Sequence, residues 1–295
     1  MPFFSVIIPT FNRRALLTYA LDSVRRQTFT DYEVIVVDDG STDDTLEGLS
    51  TFPDVKVLRQ KNRGPGVARN LGVRESCGQY IAFLDSDDVW FPWSLETYAA
   101  ILRRSEAPAF VAGKPFRFRD EVELPATASG NMEQLHFPDY LASGDEWRWF
   151  GVSSFIIRAN EFRAAGGFAE EPINGEDADL ALKLGEAPGF TQITSPPTFG
   201  YRDHTTNVTA DLTKSLAGVW HMVLAEKSNE YVGGKERELC RRQILTRFVR
   251  TVTFDCLKQR RKAEAWRLYG ETFLWHCALG RWKYLVGFPM KAIFL

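Results

Sequence analysis

Three short apolar runs stop abruptly at polar or acidic residues. Residues 3–8 (FFSVII) stop at Pro9 and Thr10, residues 32–37 (YEVIVV) at Asp38 and Asp39, and residues 80–84 (YIAFL) at Asp85, Asp87 and Asp88. Each run is too short to span a membrane and is rich in β-branched and aromatic residues, the pattern of a strand buried on both faces. Between them residues 14–27 carry Leu17, Leu21 and Val24 at helical spacing, and GPGVARNLGV opens a second helix from a glycine-rich turn. Strands alternating with helices predict a parallel α/β sheet, and its ligands belong at the carboxyl ends of the strands. Like charges crowded at such an end raise the free energy unless a cation, a proton or water relieves them.

The chain has 295 residues, 44% of them apolar and 13% aromatic, enough for one large domain with an appendage or for two domains. A net charge of −2 argues against a dedicated nucleic-acid binder. That average hides an asymmetry. Residues 213–295 hold 16 Lys and Arg against 7 Asp and Glu, a balance of +9, and the rest of the chain carries −11. Two regions are therefore expected, a catalytic domain at 1–212 and a basic, aromatic-rich helical region at 213–295. The four cysteines show no CxxC spacing, and the amino terminus has no basic segment ahead of its apolar run. The expectation is a cytoplasmic protein, peripheral on the cytoplasmic face of the membrane if its basic region touches lipid.

Further along, residues 109–118, 152–158 and 191–198 read as strands, the last ended by Pro196 and Pro197; residues 93–104 and 176–185 read as helices, and 137–142 as a short helix among loops. A third acidic station, Glu176, Asp177 and Asp179, opens the helix at 176. A divalent cation holding a phosphorylated ligand accounts for the middle station, because Mg²⁺ and Mn²⁺ favour one or two carboxylates plus phosphate oxygens.

The segments FSVIIPTFN, VVDDGSTD, GPGVARNLGV, FLDSDD, GGFAEE and GEDADL, in this order, resemble the family 2 glycosyltransferases of the GT-A fold, from residue 3 to about residue 207. The resemblance implies a Rossmann-like, mostly parallel sheet flanked by helices, followed here by the helical appendage. It also implies an inverting, metal-dependent transfer from a nucleoside-diphosphate sugar, UDP being the default nucleotide, to a glycan or lipid-linked acceptor.

On that resemblance Pro9 and Thr10 contact the nucleotide base, and Asp39 accepts a hydrogen bond from it with Asp38 sharing the task. Arg69 stands near the diphosphate, Asp85 near the ribose, and Asp87 binds the Mn²⁺ or Mg²⁺ ion. Asp177 is the general base, supported by Glu176, and His204 in YRDHTTN approaches the metal or the phosphates. Plainer roles stay open for several of these residues: a turn for Asp38, an acidic first turn for Glu176 and Asp177, a surface histidine for His204. Ala181 and Lys183 depart from the aromatic and arginine that the family often places after GEDADL, so the acceptor side is less defined than the donor side. Trp147 and Trp149 fit either a sugar platform or one buried face of a strand. The basic region suits an anionic membrane surface or a helical cap on the catalytic domain. Two rivals remain, a catalytically inactive scaffold of the same fold and a nucleotidyltransferase, although the latter's glycine- and lysine-rich phosphate loop is replaced here by PTFNRRALL.

Overall fold

The computed structural model describes residues 1–128, 130–146, 151–203 and 211–294, so Trp147, Trp149 and His204 lie outside the described residues. The first half alternates as expected: β1 (Phe4–Thr10), α1 (Arg14–Arg25), β2 (Tyr32–Asp38), α2 (Thr45–Gly48), β3 (Val55–Arg59), α3 (Pro65–Arg74) and β4 (Tyr80–Phe83). These four strands are parallel in the order β3-β2-β1-β4, with Ile7 level with Ile35 on one side and Phe83 on the other. Then follow β5 (Val89–Trp90), α4 (Ser94–Leu102), β6 (Phe110–Phe118), β7 (Glu133–Phe137), β8 (Phe155–Arg158), α5 (Ala159–Ala164), α6 (Glu176–Lys183) and β9 (Phe190–Arg202). Beyond β4 the sheet becomes mixed. It continues β8-β6-β9-β5, with β8 antiparallel to both neighbours, β6 parallel to β9, and β7 on β9 as a branch.

Side chains alternate across β1 as the pleat requires. Ile7 joins one core with Ile35, Ile81 and Phe83, whereas Phe4, Val6 and Ile8 join a second core on the opposite face with α1 and α4. Both faces are covered, which explains why the strands read as continuous apolar runs. Helix α3 lies close on β1 through Gly72, where a Cβ would come within 2.5 Å of the Ile7 side chain. That close approach fixes the height of Arg69 one turn earlier.

Two expectations change. The strand predicted over residues 191–198 runs on to Arg202, because its pairing with β6 shifts register around Lys114 and Pro197, and a bulge tolerates a residue without an N–H. Residues 133–137, read as loop, form the half-exposed strand β7, whose EQLHF alternates too weakly to be recognised; the helical turn that follows covers only Leu141–Ser143.

The basic region forms α7 (Leu212–Lys227), α8 (Glu238–Lys258), α9 (Lys262–Ala278) and α10 (Trp282–Phe294), which share the first core with α3 and α6. Arg241 of α8 donates from Nε to the Glu226 carboxylate of α7 at 2.6 Å with both side chains fully buried, and its Nη1 donates to the carbonyls of Val232 and Gly234 at 2.8 Å. Removing one partner of such a pair strands the other charge. Glu226→Ala should therefore lower unfolding free energy by about 3–5 kcal/mol in urea denaturation, and an unchanged midpoint would show that the pair is dispensable.

Candidate functional site

Strands β1, β2 and β4 end on the same edge of the sheet, and their loops are tied to one another. The Asp39 N–H donates to the Thr10 carbonyl at 2.8 Å, and Ser41 Oγ accepts from the Asn12 N–H at 2.9 Å. Asp38 is fully buried, accepts from the Ser41 N–H at 3.0 Å and lies 3.3 Å from Arg59 Nε, so in this structure it shapes the turn. Asp39 accepts from Gln60 Nε2 at 2.7 Å and from the N–H groups of Arg63 and Gly64 at 2.9 and 2.8 Å. Three donors leave a carboxylate with about four acceptor positions little spare capacity. Asp39 thus organises the loop that launches α3. Pro9 is level with Val37 inside the sheet, and the buried Thr10 hydroxyl beside it has no hydrogen-bond partner among the described residues.

Arg69 stands at the centre of the site. Its guanidinium, 3% exposed, donates from Nη2 to Asp85 at 2.6 Å and from Nη1 to Glu176 at 3.1 Å, while Nε, also buried, finds no acceptor among the described residues. It lies 5.1 Å from the Phe168 ring centroid. Phe168 is positioned by Asn70, whose side-chain amide donates to the Phe168 carbonyl at 2.9 Å and accepts from its N–H at 3.0 Å. The GGF turn needs its glycine there: Gly167 has φ of 76°, and a Cβ would meet Asn70 Oδ1 at 2.6 Å. Asn70 thus clamps this turn to α3.

The β4–β5 turn divides its three carboxylates. Asp85 is held by Arg69, and Asp87 accepts from Arg13 Nη1 at 2.6 Å with both side chains partly exposed. Asp88 is buried, accepting from Ser153 Oγ at 2.6 Å and from the Arg202 N–H at 3.1 Å. Burial, then the neighbouring Asp87 and Asp85, pushes the Asp88 carboxyl well above its usual range, which suits a structural group. Asp85 is raised as well, by burial first, with Arg69 opposing and Asp87 adding to the rise.

Across the cleft, α6 begins after Gly175, whose φ is 89°. Glu176 faces Arg69, and Asp177 accepts only from the adjacent Ala178 N–H at 2.8 Å among the described residues. Burial and then the charge of Glu176 push Asp177 up to about 7. Asp179 is turned inward, accepting from Tyr231 Oη at 2.7 Å and pairing with Lys183 at 2.6 Å and His221 at 3.4 Å, so it anchors α6 to the carboxyl-terminal helices. The unexpected Lys183 serves that anchor, and Ala181 is fully buried in the core.

With the cleft thus assembled, the family can be tested. The model of glycosyl transferase family 2 matches residues 5–157, more than half of the chain. The chain belongs to glycosyltransferase family 2. Chondroitin synthase of Escherichia coli is 32% identical over 207 residues, covering 65% of this chain and 28% of that protein. Like chondroitin synthase, several curated relatives are longer, and this chain spans less than two thirds of them. Among solved structures, Staphylococcus aureus TarS residues 1–349 with UDP-GlcNAc superposes with a TM-score of 0.68 at 23% identity, covering 84% of this chain and 71% of that one. The mannosyltransferase PcManGT of Pyrobaculum calidifontis, solved with GDP-Man and Mn²⁺, gives 0.61 at 16% identity over 99% of this chain and 86% of that one. At these identities the likeness establishes the GT-A fold.

A family 2 fold raises the matter of a divalent ion. No group of three or more His, Cys, Asp or Glu side chains among the described residues is arranged to hold a metal ion by itself. Mg²⁺ and Mn²⁺, however, commonly take one or two carboxylates and complete their shell with phosphate oxygens and water. Asp85 and Asp87, two residues apart on one turn and each now balanced by an arginine, fit that donor set once a diphosphate is present. Sequence reasoning missed Arg13 and Ser153. Arg13 directly follows FSVIIPTFN and was visible as a cation at a strand end, whereas nothing in the sequence links Ser153 to Asp88.

The raised pKa of Asp177 has a sign that can be measured. The folded state holds this proton more tightly than the unfolded chain, so the charge of Asp177 costs stability increasingly as pH rises from about 4 to about 7, and fully above that. Asp177→Asn should melt above the wild type at pH 8 and level with it at pH 4; a lower melting temperature at pH 8 would contradict the desolvated carboxylate.

Proposed function

We propose that this chain transfers a sugar, with inversion, from a nucleoside-diphosphate sugar to a hydroxyl group of a glycan or lipid-linked acceptor. One observation carries the reading: Arg69 joins Asp85, at the donor edge of the sheet, to Glu176, whose neighbour Asp177 is pushed up to about 7 by burial and by the charge of Glu176. Donor and base groups therefore share one cleft. On the family resemblance the nucleoside is assigned to the ends of β1 and β2, at Pro9, Thr10, Asp38 and Asp39, although Asp38 is buried and Asp39 already accepts from three donors, and UDP is the first nucleotide to test. The diphosphate lies toward Arg69 and the Asp85–Asp87 turn. Asp87 and Asp85 would hold Mn²⁺ or Mg²⁺, which would supply Lewis-acid neutralisation of charge on the departing nucleoside diphosphate. His204 is assigned to the same end of the cleft on the family resemblance alone.

Asp177 takes the proton of the acceptor hydroxyl as that oxygen bonds to the anomeric carbon, and the bond from that carbon to the diphosphate breaks on the opposite face. The electron pair leaves with the nucleoside diphosphate. Glu176, held by Arg69, keeps negative charge beside Asp177 and so favours proton uptake. Asp177→Asn should keep nucleotide binding and lose turnover by about 10²–10⁴-fold, and turnover in the wild type should rise with pH through about 7 as Asp177 ionises. Asp87→Ala should lose the Mn²⁺-dependent rise in melting temperature with UDP, GDP or dTDP. Normal turnover by Asp177→Asn would remove the base from this scheme.

The carboxyl-terminal helices suggest where the acceptor is met. No helix among the described residues is long and apolar enough to cross a membrane. On α10, Tyr284, Leu285, Phe288 and Ala292 are buried, while Trp282, Val286, Met290 and Ile293 form the opposite stripe, 56–74% exposed. Exposed Lys283 and Lys291 accompany the stripe, and Trp266, Phe273 and Leu274 of α9 are exposed as well. An apolar face with lysines suits the interface of an anionic bilayer, which we take as the partner of this region. The protein should sediment with phosphatidylglycerol vesicles and not with phosphatidylcholine vesicles, and Trp282→Ser with Ile293→Ser should release it. Equal recovery with both lipids would exclude the anionic surface.

A further inference from the structure

A second charged cluster lies on the base side of the cleft, outside every role assigned so far. Arg247 and Arg250 are three residues apart on one face of α8, and Arg281 precedes α10. Among the described residues one carboxylate pairs with them: Asp145 accepts from Arg281 Nη2 at 2.7 Å and lies 3.9 Å from Arg247 Nε. Arg281 Nη2 also donates to the Gln243 carbonyl at 3.2 Å, and Arg247 Nη1 lies 3.5 Å from the Gly144 carbonyl. No ion pair or hydrogen bond among the described residues engages the Arg250 side chain, and the buried Arg281 Nε has no acceptor there. Arginine does not escape such crowding by losing its proton. The field is felt nearby. His276, fully buried and without a hydrogen-bond partner among the described residues, is driven down to about 3 by burial and then by Arg250 and Arg281. Burial and Arg281 likewise lower Arg250.

The cluster belongs to the acceptor side. The loop that carries Gly144 and Asp145 follows Leu141–Ser143, which is pinned to the end of α6 by the Leu141 N–H on the Gly185 carbonyl at 3.1 Å. The buried Tyr140 hydroxyl is within electrostatic reach of both Arg247 and Asp177.

We propose that Arg247, Arg250 and Arg281 form a subsite for a phosphate group carried by the acceptor. Three guanidinium groups against one carboxylate leave two positive charges, the complement of a phosphate dianion, and their planar forks match phosphate oxygens. The inference rests on the transferase reading, since it names the class of acceptor that Asp177 deprotonates.

The test is calorimetric titration of inorganic pyrophosphate in EDTA into the wild type, Arg250→Gln, Arg281→Gln and, as a control, Arg104→Gln on the exposed end of α4 at the other face of the sheet. Any pyrophosphate taken up by the donor cleft contributes equally to all four proteins, so the difference isolates the cluster. Both cluster variants should bind at least about tenfold more weakly than the wild type. Without anion, Arg250→Gln should melt no lower than the wild type, because it removes repulsion. Equal pyrophosphate affinity in all four proteins would overturn the subsite. Glycerol 3-phosphate and farnesyl diphosphate then separate the sources: a cluster-dependent gain confined to the farnesyl compound assigns a lipid-linked acceptor, and equal responses assign a phosphate on a soluble glycan. UDP, GDP and dTDP, each with Mn²⁺, are titrated in parallel. Binding of any of the three with no cluster effect would sink only this inference, whereas absence of binding of all three in the wild type would sink the transferase reading itself.

Discussion

A buried arginine that bridges two carboxylates from distant parts of the chain holds this site together. Asp85 ends β4 and Glu176 begins α6, and Arg69 touches both with little access to water. Leaving either partner unpaired in such surroundings would be costly, so the strand edge and the helix are fixed relative to each other. The same guanidinium keeps the two acids from repelling each other before any ligand arrives. Arg13 does this for Asp87 on the more exposed side. The acidic crowding in FLDSDD is thus divided among separate tasks: one acid for Arg69, one for Arg13, and one turned inward to Ser153 and the Arg202 backbone.

The position of Arg69 is itself enforced from beneath and from both sides. Gly72 lets α3 sink onto β1, Asp39 gathers the loop before α3, and Asn70 holds the Phe168 turn under the guanidinium. On the far bank, Asp179 ties α6 to Tyr231 and His221, and Asn174, just before α6, reaches Ser215 Oγ at 3.1 Å. The carboxyl-terminal helices therefore do more than cover the first core: they set the wall on which Asp177 stands. Burial and then the charge of Glu176 raise Asp177 to about 7, which suits the base role proposed for it.

The parallel half of the sheet was legible because strands covered on both faces leave unbroken apolar runs, and the acids at their ends mark the cleft. The mixed half was harder to read. β5 has two residues, β7 is a half-exposed edge, and β9 passes through two prolines by shifting register, so none of them shows a clean period of two. Within the site, residue types at motif positions were readable, but their partners were not. Arg69 and Glu176 are 107 residues apart and Arg13 and Asp87 are 74 apart, and no local pattern encodes contacts that only the fold creates. The saturated hydrogen bonds of Asp39 and the inward turn of Asp88 were hidden for the same reason.

If Arg69 is what unites donor binding and base catalysis, a cation that can reach only one carboxylate should not replace it. The decisive measurement is kcat/KM of Arg69→Lys for the nucleoside-diphosphate sugar that the wild type turns over, with folding checked by circular dichroism. A lysine keeps the charge but lacks the fork, so the account predicts a folded protein that has lost about 100-fold or more in kcat/KM. A folded Arg69→Lys with wild-type kcat/KM would contradict it.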